Sequence, residues 1–84
     1  MASNMPGWFT WTTSAELGEA VLSAREASGL TQAELAAQAR VSRKFLCELE
    51  RGKSSLRVDK VCAVLGALGL MPLIVPAELL SALR

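Results

Sequence analysis

Residues 29–53 read GLTQAELAAQARVSRKFLCELERGK, and this stretch decides the fold. Thr31 with Glu34 three residues on forms a capping box, in which each side chain satisfies a backbone N–H at a helix start. A short helix therefore runs from Gln32 to about Ala39. Ser42 caps another that continues to about Arg51, where Gly52 stops it. The small Ala36 lets the two helices approach closely, and Val41, Leu46 and Leu49 fill the wedge between them. Two short capped helices separated by a turn of about three residues have the spacing of a helix-turn-helix motif. The plainer alternative is a helical hairpin within a bundle.

Upstream, Thr13 and Glu16 repeat the capping box and start a helix that reaches about Ser28. Leu17, Ala20, Val21 and Ala24 form its buried stripe. Gly29 ends it as a left-handed cap. Residues 1–13, with Trp8, Phe9 and Trp11 behind a cluster of turn formers, read as an N-terminal arm. Downstream, a fourth helix spans about Arg57 to Leu68. Val58, Val61, Cys62, Leu65 and Leu68 lie on one of its faces, which places Cys62 in the core. Leu70 to Val75 is short, apolar and rich in branched residues, so a strand is expected there. Pro72 confines it to partial pairing, and Pro76 opens a last short helix from Ala77 to Leu83. The organisation is thus an arm (1–13), a helical domain (14–69), and a strand with a short helix (70–84).

The chain has 84 residues, enough for one domain, yet 51% of them are hydrophobic. A domain this small buries only about 60% of its unfolded surface, so part of the apolar surface is expected between two copies. In this reading Leu70, Met71, Leu73, Ile74 and Val75 pair with their mates across a homodimer.

The net charge is only +1, but it is unevenly spread. Between Arg40 and Lys60 there are seven basic and three acidic residues, a local +4. The rest holds two basic and five acidic residues, a local −3. Such a basic middle fits a phosphate footprint, although an ordinary mixed surface also accommodates it. No histidine is present, and no nucleophile sits beside a base, so neither catalysis nor a cofactor is expected. Two cysteines without histidine give too few ligands for structural zinc, and they suggest no disulfide framework. No apolar run approaches the roughly 18–20 residues that span a bilayer, and the start lacks a signal-peptide pattern. A cytoplasmic protein is expected.

A recognition helix presents its N-terminal side chains to base edges in the major groove. Ser42, Arg43, Lys44, Cys47 and Glu48 make up the outward face of the third helix. Arg43 and Lys44 stand first, where guanine is best read. Glu48 either accepts from a cytosine amino group or pairs with Lys44 one turn back. Lys53, Ser54 and Ser55 follow the helix, where phosphate contacts are common, and Arg57 is a weaker candidate. Phe45 either touches a thymine methyl or covers the junction of the two helices. Cys47 is either an oxidation switch or a small side chain chosen for fit.

The segments Gly29-Leu30-Thr31-Gln32-Ala33-Glu34-Leu35-Ala36, Val41-Ser42-Arg43 and Glu48-Leu49-Glu50-Arg51-Gly52-Lys53 resemble the Xre and phage-repressor class of helix-turn-helix proteins. The resemblance covers residues 15–70. It implies an all-α, lambda-repressor-like domain of four to five helices that binds double-stranded operator DNA. It also implies that Gln32 aims its amide at a phosphate and that Glu50 pairs with Arg25 of the first helix. Arg40 stands where the class usually has glycine; either it takes up a left-handed backbone at some cost or the turn is slightly remodelled, and its guanidinium is expected within reach of phosphate. Leu56-Arg57-Val58-Asp59-Lys60-Val61, Val64-Leu65 and Ala67-Leu68-Gly69-Leu70, with the apolar segment behind them, look most like HipB-type antitoxins. Such proteins bind a HipA-type kinase toxin and repress their shared operon as dimers. A stand-alone regulator, or an interaction module without DNA binding, are the alternatives.

Overall fold

The computed structural model describes residues 9–83. Four helices carry the domain: α1 Ser14–Ala27, α2 Gln32–Ala39, α3 Arg43–Glu50 and α4 Val58–Ala67. A 3-10 turn, Ala77–Leu79, then leads into a single α-turn, α5, Leu80–Leu83.

The helix starts follow from local chemistry. Thr13 Oγ1 accepts from the Glu16 N–H at 3.1 Å, while Glu16 Oε1 accepts from the Thr12 and Thr13 N–H groups at 2.7 and 3.2 Å. At α2 the same box closes between Thr31 and Glu34, at 3.1 and 2.8 Å. These carboxylates sit against N–H groups that favour their charged form. The Thr12 N–H foremost holds Glu16 below its ordinary pKa of 4.5, and the Thr31 N–H does the same for Glu34. Ser42 Oγ accepts from the Phe45 N–H at 2.9 Å and caps α3. Between α2 and α3 the chain turns on Arg40, at φ 58°, ψ 41°, the left-handed conformation expected at that position.

The core sits where α3 meets α1 on one side and α2 on the other, with α4 packed on α2. Val21, Leu35, Leu46, Leu49 and Val64 are its fully buried large side chains. Two close approaches fix α1 against α3. A Cβ on Gly18 would lie 2.5 Å from the Leu49 carbonyl oxygen and 2.8 Å from that of Glu50. Ser14 Oγ donates to the Gly52 carbonyl at 2.9 Å, just past the end of α3.

Three expectations need correction. Residues 71–76 form no strand among the described residues; they run on as an irregular segment, because a strand requires a neighbour to share its ladder and one chain supplies none. Leu70 packs on the core, but Met71, Leu73 and Ile74 are exposed, Ile74 almost completely, and Val75 borders on exposed. The expected last helix is divided into a 3-10 turn and one α-turn. Cys62 is exposed rather than buried. On α4 the core is carried by Val64 and Leu65, while Val58 is 74% exposed. Val58, Cys62, Trp11, Leu56, Val61 and Pro72 instead border an open apolar groove of about 260 Å³. Most of the N-terminal arm lies outside the described residues; within them, Phe9 is half-buried and Trp11 exposed.

Candidate nucleic-acid interface

Residues 42–44, at the start of α3, are exposed, so the Ser42, Arg43 and Lys44 side chains stand clear of the core. Cys47 and Glu48, one turn on, are half-buried. The opposite face of α3 is held by Phe45, Leu46 and Leu49, all buried. Phe45 is thereby assigned to packing. Its ring also lies 5.8 Å below the Lys60 ammonium of α4, a cation–π contact. Ser42 is both exposed and engaged: its oxygen caps the helix, which leaves its hydroxyl proton and one lone pair for a further partner.

Glu48 does not pair with Lys44. Its Oε1 lies 3.5 Å from Lys53 Nζ, and the two form an ion pair in place of Lys44–Glu48. The pair is largely solvated, so it holds the two side chains only weakly and leaves Lys53 able to exchange partners. Arg40 and Ser54 are exposed, at the turn before α3 and in the loop after it. Arg57 is turned to Asp59, with 2.6 Å between Nη2 and Oδ2, and its guanidinium holds the Asp59 carboxyl below its ordinary range.

The end of α3 is anchored by a partly buried network. Arg25 Nε donates to Glu50 Oε2 at 2.6 Å, and Arg25 Nη2 donates to Glu50 Oε1 at 3.2 Å. The third Arg25 nitrogen, Nη1, donates to the Leu30 carbonyl at 2.9 Å. The side chains of Arg25 and Glu50 are 13% and 5% exposed, so this two-point pair is shielded from solvent. Its strongest effect on Arg25 is the hydrogen bond to Glu50, which raises the guanidinium pKa further. Gln32 departs from the expected free amide: its Nε2 donates to Glu50 Oε1 at 2.9 Å. One of its two amide protons is therefore directed inward.

Sequence reasoning anticipated neither the Lys60–Phe45 contact nor the need for Gly18. Lys60 meets Phe45 across fifteen positions and two helices, so no periodicity links them. Gly18 carried a local signal, a glycine in the interior of a helix, which costs about 1 kcal/mol and calls for a packing reason.

A family model for the helix-turn-helix domain matches residues 16–79, which takes in all but the first two residues of α1, then α2 to α4 and the segment beyond. The chain belongs to the helix-turn-helix domain family. No protein of curated function matches it. Membership makes this helix-turn-helix protein a DNA-binding regulator in class. Among the described residues, no helix is long and apolar enough to cross a membrane.

Proposed function

We propose that this helix-turn-helix protein is the antitoxin and autorepressor of a toxin–antitoxin operon. In this reading it works as a cytoplasmic homodimer without catalysis or cofactor, binds a palindromic operator, and neutralises a HipA-type kinase toxin. The observation that carries the proposal is the pairing of two surfaces on one small domain. One is the exposed basic start of α3, Arg43 and Lys44. The other is the exposed apolar run of Met71, Leu73 and Ile74. A DNA reader needs the first. The second has no use in an isolated monomer, where it exposes apolar side chains and unpaired backbone groups to water.

Pairing of residues 70–75 with their symmetry mates would give a two-fold dimer that sets two α3 helices for successive major grooves, about 34 Å apart. In that arrangement Arg43 and Lys44 read bases. Gln32, Arg40, Ser42, Lys53 and Ser54 contact the backbone, and Cys47 and Glu48 border the read bases. The stand-alone regulator remains the contrast to test, since it shares the first surface and has no toxin.

Co-expression with the product of the adjacent gene decides between them: a stable complex supports the antitoxin, and separate elution of a kinase-like neighbour rejects it. Sedimentation of the intact chain and of a chain ending at Gly69 tests the dimer. The intact chain should sediment as a dimer at micromolar concentration and the shortened chain as a monomer. For DNA, Arg43→Ala should lose about 1–3 kcal/mol of affinity for an operator selected from random duplexes and relax preference at one base. Unchanged affinity would reject α3 as the reading element.

A further inference from the structure

We propose that the apolar groove between the start of α1 and α4 receives Ile74 of a second copy of this chain. The inference rests on the dimer reading above and names a contact that pairing of the C-terminal run does not itself include.

The groove holds about 260 Å³, ample for one branched side chain. Of the residues lining it, Leu17 and Leu65 are buried, Leu56 and Val61 half-buried, and Trp11 and Val58 exposed. Lys53 is the one charged residue among them. The chain's own apolar run passes the groove at Pro72, but its next large side chains do not enter it: Ile74, two residues on, is 99% exposed.

The two prolines restrict how that run can pair. In an antiparallel ladder, residues whose N–H and C=O face the partner alternate with residues whose groups face away. Pro72 and Pro76 have no N–H, so both belong to the second set. Met71, Leu73 and Val75 then face the partner strand with all their donors. A two-fold ladder centred on Leu73 keeps every rung within residues 71–75. It stops short of Gly69, whose N–H already caps α4, and of the 3-10 turn that starts at Ala77. In this register the partner's Ile74 stands opposite Pro72 on the same face of the ribbon, with about 4.5–5.5 Å between their Cβ atoms. Pro72 borders the groove, so the partner's most exposed side chain is brought to its edge.

Area points to the same occupant. A stable interface buries about 1,200–2,000 Å² in total, and a ribbon of two five-residue strands is too small to supply that alone. The groove adjoins the ribbon and offers apolar surface twice over, once in each copy.

Sedimentation of the intact chain tests the contact from both sides. Ile74→Ala should raise the dimer dissociation constant about 100-fold, roughly tenfold for each of the two symmetric contacts. Val58→Asp alters the groove alone. Val58 is exposed in the first turn of α4, where an acidic residue suits the helix dipole, so the fold is kept. It should weaken the dimer about tenfold or more, whereas a ribbon without the groove contact would not feel it. Unchanged dissociation constants for both variants would overturn the proposal.

Cys62 lines the groove and provides a second readout. In a chain carrying Cys47→Ser and Ile74→Cys, mild oxidation should give a covalent dimer. Peptide mapping should show position 62 of one copy joined to position 74 of the other. Adding Cys62→Ser should abolish that link. A link within one chain, or between the two positions 74 alone, would refute the groove contact. If the intact chain is a monomer throughout, the dimer reading fails and this inference fails with it. A dimer that is lost on ending the chain at Gly69 but is indifferent to Ile74→Ala and Val58→Asp defeats the groove contact alone.

Discussion

Replacing Gly18 by alanine should destabilise the protein, although alanine is the better helix former. In a helix interior the exchange contributes about 1 kcal/mol in favour of alanine. At Gly18 the added Cβ would stand 2.5 Å from the Leu49 carbonyl oxygen and 2.8 Å from that of Glu50. Both are backbone atoms of α3, so no side chain can rotate out of the way. α1 must move off α3, which strains the Leu17, Val21, Leu46 and Leu49 packing and the Arg25–Glu50 pair. Overpacking of this kind costs about 1–3 kcal/mol, and backbone on both sides puts the value at the upper end. The net loss is then about 2 kcal/mol, or roughly 8–16 °C in melting temperature for a domain of this size. Gly66 is the matched control. It too lies within a helix, α4, but a Cβ there meets nothing within 4 Å. Gly66→Ala should therefore stabilise by about 1 kcal/mol and raise the melting point by roughly 4–8 °C. Thermal and urea unfolding followed by circular dichroism measure both. A Gly18→Ala protein at least as stable as wild type would refute the close-approach argument, and a destabilised Gly66→Ala protein would refute the control.

Further expectations concern the ion pair, the turn and the caps. Glu50→Ala and Arg25→Ala should each cost about 1.5–3 kcal/mol, because either leaves a partly buried charge without its hydrogen-bonded partner. The double variant should be no less stable than the worse single one, whereas additive losses in urea unfolding would show the two residues to be independent. Arg40→Gly should gain about 1 kcal/mol by relieving the left-handed backbone, read as a rise in melting temperature; a fall would mean that the arginine side chain contributes more than its strain costs. The Glu16 and Glu34 carboxyls have folded pKa values below their ordinary 4.5, so their stabilisation is complete above that pH. It drains away as pH falls through the lower folded values, and the melting temperature should drop with acid in that window. Glu16→Gln with Glu34→Gln keeps an acceptor at each cap and should flatten this drop; an unchanged acid profile would reject it.

The sequence by itself determined the starts of α1, α2 and α3 and the turn between α2 and α3. Those features rest on contacts between residues three or four apart, such as Thr31 with Glu34 and Ser42 with Phe45, which sequence spacing specifies directly. The left-handed backbone at Arg40 was legible only through the resemblance, which has glycine at that position. Arg25 and Glu50 were found only through resemblance, because nothing local joins residues 25 positions apart. Periodicity grouped Val58, Cys62 and Leu65 on one face of α4, but it could not say how far the neighbouring helices reach across that face. Tertiary packing decided that Leu65 is buried and Cys62 exposed. The inward turn of Gln32, the choice of Lys53 over Lys44 by Glu48, and the need for glycine at position 18 were likewise decided there. Each depends on where a second helix places its atoms, and helix placement is set by the packing of the whole core rather than by any short run of residues.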